Sequence, residues 1–124
     1  MRFIPPMFHA ILDYVTVAIF AAAPSLLGLE VAAAWLSYLL SGVHLLMTLL
    51  TDFPGGVMKV IPLTWHGWVE CVVGPALVIL AFVAPFPAEA KLFYGVMGAI
   101  IIVAWATSQY EPEASRKSGQ APAS

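Results

Sequence analysis

The chain has 124 residues, of which 61% are hydrophobic and 10% charged, and its net charge is −2. An ordinary soluble domain is roughly 45–50% apolar and about 25% charged, and a domain this small buries too little surface to hide the excess. A water-soluble globule is therefore excluded. So is a nucleic-acid partner, because no basic stripe exists to track phosphates. The single cysteine, Cys71, forbids an intramolecular disulfide and cannot build a zinc site by itself.

Four apolar stretches, residues 7–23, 32–51, 64–84 and 90–108, each meet the roughly 17–25 residues that a spanning helix requires. The first follows Pro5-Pro6, tolerated where first-turn N–H groups have no helical partner. It carries His9 and Asp13 and is expected to stop at Ala23-Pro24-Ser25, with room to continue as far as Leu29. Its prolines, histidine and acid, and the recurrence of its pattern in mid-chain, mark it as a retained helix rather than a cleaved signal. The second stretch places Ser37, Ser41, His44, Thr48 and Asp52 at helical spacing, one polar stripe. Asp52, beside Pro54-Gly55-Gly56, reads as a turn former. The third opens after Ile61-Pro62, carries His66 and Glu70, is expected to kink at Gly74-Pro75, and stops at Ala84-Pro85-Phe86. The fourth has no histidine or acid in its apolar run. The tail, residues 111–124, is rich in Pro, Ser, Ala and charge and is expected to be a disordered cytoplasmic segment.

Residues 2–15 (RFIPPMFHAILDYV) align without a gap on residues 59–72 (KVIPLTWHGWVECV), 57 positions later. The same offset sets Thr51-Asp52-Phe53 over Ser108-Gln109-Tyr110, and Ile101 where a second His44 would stand. The expected fold is thus an all-α membrane protein in which residues 1–110 form a four-helix transmembrane bundle. It comprises two tandem helical hairpins, repeat 1 over about 2–53 and repeat 2 over about 59–110. Two spans return the chain to its starting side, so the halves should be related by a pseudo-twofold axis along the membrane normal. Arg2, Lys59, Arg116 and Lys117 fall on the side of the termini and Lys91 on the other. The positive-inside bias places both termini in the cytoplasm.

The pattern Ile-Pro-x-x-aromatic-His-small-x-aliphatic-acid, followed by a small-Pro turn at Ala23-Pro24-Ser25-Leu26-Leu27-Gly28 and again at Ala84-Pro85-Phe86, resembles the SPW-repeat membrane proteins of bacteria. Neither copy has the Ser or Trp of the Ser-Pro-Trp motif. The resemblance covers residues 2–110 and implies a four-helix bundle in the bacterial inner membrane, with no activity or site residues to carry over.

His9 and Asp13 are four apart and share a helix face, as do His66 and Glu70. A charged residue at the centre of a span costs about 2.5–3.5 kcal/mol on insertion scales, so both acids should face the bundle interior. His9, Asp13, His44, His66 and Glu70 are the candidate site between the first three helices. Three readings stay open. The cluster is a neutral hydrogen-bonded lock in a small structural or accessory module. Alternatively, it binds a transition metal through those five residues, or a haem through His9 and His66. Thirdly, it relays protons or passes a small solute, which would call for a homo-oligomer or larger membrane complex around so narrow a bundle. No catalytic motif is present, and no catalytic residue is assigned.

Overall fold

In a computed structural model, which describes residues 1–111, the chain forms α1 (Pro6–Leu26), α2 (Val31–Leu50), α3 (Leu63–Val83) and α4 (Ala88–Thr107). Each helix has 20 or 21 residues and is long and apolar enough to cross a membrane. The protein is therefore an all-helical, multi-pass membrane protein. Side chains such as Trp35, Leu39, Trp65, Val72, Phe82, Leu92 and Val103 are more than half exposed on the outside of the bundle, where lipid is their natural surrounding. Of the expected tail, only Glu111 belongs to the described residues.

Proline and glycine punctuate the elements. Pro5, Pro62 and Pro87 are the N-caps of α1, α3 and α4. At α2 the Glu30 carboxylate accepts the backbone N–H groups of Ala32 and Ala33, at 3.2 and 2.8 Å. Between α1 and α2 the chain reverses through Gly28, whose φ of 60° suits a residue without Cβ.

At one boundary the longer of the two expected courses is taken. α1 does not stop at Ala23-Pro24-Ser25 but carries Pro24 in its last turn and ends at Leu26. Pro24 has no N–H to offer the Phe20 carbonyl one turn back. The Ser37 hydroxyl of α2 donates to that carbonyl instead, at 2.6 Å, so the helix loses no partner by continuing. α3 likewise runs through Pro75 to Val83.

The closest helix pairs are α1 with α2 and α3 with α4, the two hairpins. In the second hairpin the backbones almost touch: a Cβ on Gly98 would stand 2.7 Å from the Gly74 carbonyl oxygen. Toward the hairpin turns, the hairpins meet in an apolar layer that includes Phe20, Ala33, Leu77, Phe93, Tyr94, Met97 and Ile101. Phe20 of α1 and Phe93 of α4 stack edge to face at 5.7 Å, and the Tyr94 hydroxyl donates to the Ala33 carbonyl of α2.

At the opposite end the two halves make the same backbone contacts with their roles exchanged. Ile4 N–H donates to the Thr107 carbonyl at 2.9 Å, and Gln109 N–H donates to the Ile4 carbonyl at 2.9 Å. The equivalent positions 57 residues away give Ile61 N–H to the Leu50 carbonyl and Asp52 N–H to the Ile61 carbonyl, both at 2.8 Å. The segment before α1 is thereby tied to the end of α4, and the segment before α3 to the end of α2.

Candidate functional site

These ties set the first turns of α1 and α3 opposite each other, and the i, i+4 spacing does the rest. His9 and Asp13 from α1 meet His66 and Glu70 from α3, all four buried to within a few per cent of complete exclusion. His9 Nε2 lies 3.3 Å from Asp13 Oδ1 and 3.3 Å from Glu70 Oε2. His66 Nε2 lies 3.3 Å from Asp13 Oδ2 and 3.6 Å from Glu70 Oε1. Each carboxylate thus spans both imidazoles, one oxygen to each, and the four side chains form a closed ring in which imidazole and carboxylate alternate. One donor atom from each of the four falls within 4.8 Å of all the others.

His44 joins from α2 at the edge, its Nε2 3.3 Å from Asp13 Oδ1, with 12% of its side chain exposed. It touches the ring through Asp13.

The outer nitrogen of each ring histidine is held by a hydroxyl from the other half. His9 Nδ1 lies 2.7 Å from Ser108 Oγ, and His66 Nδ1 lies 2.9 Å from Thr51 Oγ1. Thr51 donates its own proton to the Met47 carbonyl at 2.6 Å, so toward His66 it is an acceptor, and His66 carries its proton on Nδ1. A neutral His66 therefore turns a bare Nε2 lone pair toward two carboxylates. His9 Nε2, His66 Nε2 and Asp13 Oδ2 are buried and make no hydrogen bond with any described residue. Since His44 makes one at the same 3.3 Å, direction and not distance leaves these three atoms unpaired.

Rings close the site on the side of the termini. Phe53 tilts against His66 at 5.6 Å, and Tyr110 meets His9 edge-on at 5.3 Å between centroids. The Tyr110 hydroxyl donates to Glu70 Oε2. Burial, aided by the negative charge of Glu70, holds this phenol well above its ordinary range, so it stays a donor. Gly67 makes the approach feasible: a Cβ there would stand 2.8 Å from the Tyr110 ring. With the apolar layer on one side and these rings on the other, the cluster is enclosed.

Compared with known proteins, the chain matches no family model, no curated protein and no solved structure. Its chemistry is read from its own residues.

The structure brings together His9, Asp13, His66 and Glu70 and sets His44 against Asp13. Asp52 is exposed and outside the cluster, and Cys71 is half-buried. Thr51, Ser108 and Tyr110 complete the site without having been singled out as candidates. The signal for them was the alignment of Thr51 with Ser108 and of Phe53 with Tyr110, but nothing local reveals that Thr51 and Ser108 each serve the opposite half.

Proposed function

We propose that the protein binds one divalent transition-metal ion within the membrane, through His9, Asp13, His66 and Glu70, with His44 orienting Asp13. The observation that carries this reading is the set of buried ring atoms that make no hydrogen bond and stand close to other potential ligands. One donor atom from each of the four residues lies within 4.8 Å of all the others, so a modest contraction would bring them to the roughly 3.3–3.6 Å separations of nitrogen and oxygen ligands about 2.0–2.2 Å from a tetrahedral ion. The two Nε2 atoms make no hydrogen bond to the carboxylates, and an ion between them would give their lone pairs a partner. Two carboxylates and two neutral imidazoles around a divalent cation sum to zero charge, which suits a dry interior. Hydroxyls on the outer nitrogens supply the orienting contacts that metal-bound histidines need. Nitrogen and carboxylate donors favour zinc, iron or manganese over copper(I) or calcium.

Haem is not carried forward from the sequence expectation. The His9 and His66 ring centroids are 5.4 Å apart, and Asp13 and Glu70 bridge the space between them, so no porphyrin plane fits.

A second role draws on the same closed ring of contacts and requires no ion: a polar lock that joins α1 to α3 in a structural or accessory module. Either role suits a small SPW-repeat-like protein of a bacterial inner membrane. The two hairpins support that placement, and Arg2 and Lys59 at the end that bears the N-terminus support cytoplasmic termini.

Elemental analysis of the detergent-purified protein, stripped with chelator and then offered zinc, manganese or ferrous ion, separates the roles. One equivalent per chain is expected, lost in His9→Ala, Asp13→Asn, His66→Ala and Glu70→Gln and weakened in His44→Ala. Helical, stable protein that takes up none of the three ions would overturn the metal reading and leave the lock.

A further inference from the structure

A second site lies beside the cluster and shares none of its candidate ligands. A cleft of about 590 Å³ opens between the first turns of α3 and the last turn of α4, lined in part by Arg2, Thr64, Trp68, Trp105, Tyr110 and Glu111. That volume falls in the range of small-molecule sites, about 300–1,000 Å³. All these residues stand at one end of the spanning helices, where the hydrocarbon gives way to headgroups.

Its walls are aromatic, and among the described residues its rim holds one cation, Arg2, and one anion, Glu111. Arg2 is fixed firmly. Its Nη1 donates to the carbonyls of Trp105 and Ser108 at 2.8 and 2.9 Å, and the guanidinium lies over the Trp105 and Tyr110 rings at 4.9 and 5.2 Å. Both hydrogen bonds leave from Nη1, so among the described residues nothing takes up Nε and Nη2, which are left to a ligand. A preset guanidinium with free N–H groups is a receptor for phosphate oxygens. It also argues against the cleft as an approach for metal ions, which Arg2 would repel. Glu111 adds an acceptor for a primary ammonium, and Trp68 offers an apolar wall that is 68% exposed.

We propose that this cleft binds a single zwitterionic, amine-headed phospholipid, its phosphate on Arg2, its ammonium on Glu111 and the start of an acyl chain along Trp68 and Trp105. Lys59 is the counterpart of Arg2 in the other half but lines no part of the cleft.

The test is native mass spectrometry of the full chain released from detergent with phosphatidylethanolamine, phosphatidylglycerol or inorganic phosphate. One phosphatidylethanolamine per chain is expected, held several-fold more tightly than phosphatidylglycerol, and millimolar inorganic phosphate should not displace it. Arg2→Gln should weaken retention about tenfold, as loss of a charge-assisted hydrogen bond does, and Lys59→Gln should leave it unchanged. Glu111→Gln should erase the preference for the amine. Because Arg2 also caps α4, Trp68→Ala provides an independent arm that keeps Arg2 and should reduce retention by itself. Wild-type retention in both Arg2→Gln and Trp68→Ala, equal binding of phosphatidylglycerol, or displacement by inorganic phosphate would each overturn the proposal. Metal content does not enter any arm.

Discussion

A threonine hydroxyl decides which nitrogen of His66 faces the cluster. Thr51 Oγ1 has one proton, gives it to Met47, and so can only accept from His66 Nδ1. Thr51→Val keeps the shape and removes the acceptor, which frees the ring to rotate or to change tautomer. Metal affinity, measured by competition with a coloured chelator, is expected to fall about 10–100-fold, the range for contacts that orient a ligand. Ser108→Ala should act similarly through His9. Tyr110→Phe takes away the donor to Glu70 but keeps the ring. A buried carboxylate that loses a hydrogen bond costs about 1–3 kcal/mol, so this variant should melt lower than wild type. If the three hydroxyls are ornamental, all three variants will match the wild type in both measurements. The sequence makes the histidines and acids legible because an ionisable group inside an apolar run is costly unless it meets a partner. It hides the hydroxyls, since a Thr or Ser at a helix end has many ordinary uses and its partner lies in the other repeat.

At the scale of elements, small residues divide into those that are necessary and those that are incidental. A Cβ on Gly98 would meet the Gly74 oxygen at 2.7 Å and the Val78 nitrogen at 2.9 Å, backbone atoms that cannot turn aside; around Gly42 nothing lies within 4 Å. Gly98→Ala should therefore push α3 and α4 apart at a cost of about 1–3 kcal/mol. Gly42→Ala should be neutral or mildly stabilising, as alanine is the better helix former. Equal thermal stability for the two variants would contradict the close packing of this hairpin. Ser37 belongs at this scale too. Its hydroxyl is what allows α1 to pass through Pro24, and Ser37→Ala should cost about 0.6–2 kcal/mol, as interhelical hydrogen bonds in membranes do. Local rules read the helices well: composition and proline spacing mark all four, and the starts of α1 to α4 fall within one or two residues of expectation. The end of α1 at Leu26 falls within the allowed continuation to Leu29; what was not legible is the reason it passes Pro24, because the group that replaces the missing N–H comes from another helix.

Across the whole molecule, the cluster is the ionisable crossing in the bundle interior between hairpins that otherwise meet through apolar side chains, the Tyr94–Ala33 hydrogen bond and the ties at the chain ends. An ion bound only by the folded bundle stabilises it by mass action, about 2.7 kcal/mol when free ion stands at a hundred times its Kd. Chelator should thus lower the melting temperature of the wild type and leave that of Asp13→Asn with Glu70→Gln unmoved. A wild type indifferent to chelator at micromolar ion would favour the ion-free lock. The doubled histidine and acid made such a crossing readable from sequence, since two copies of one motif in adjacent hairpins have each other as the natural partner. What could not be read is the exchange of supports between copies, which depends on how the chain ends pass each other and not on any single repeat.

That exchange has a consequence for biosynthesis. His9 leaves the ribosome early, but its brace, Ser108, follows 99 residues later, and the phenol that covers Glu70 follows that acid by 40. A nascent chain halted after its third helix has every ring donor already inserted and none of the fourth-helix contacts that aim and seal them. Under the metal reading, ion capture is expected only after the fourth helix is in place, and a chain truncated before Ser108 should insert into the bilayer yet hold the ion more weakly.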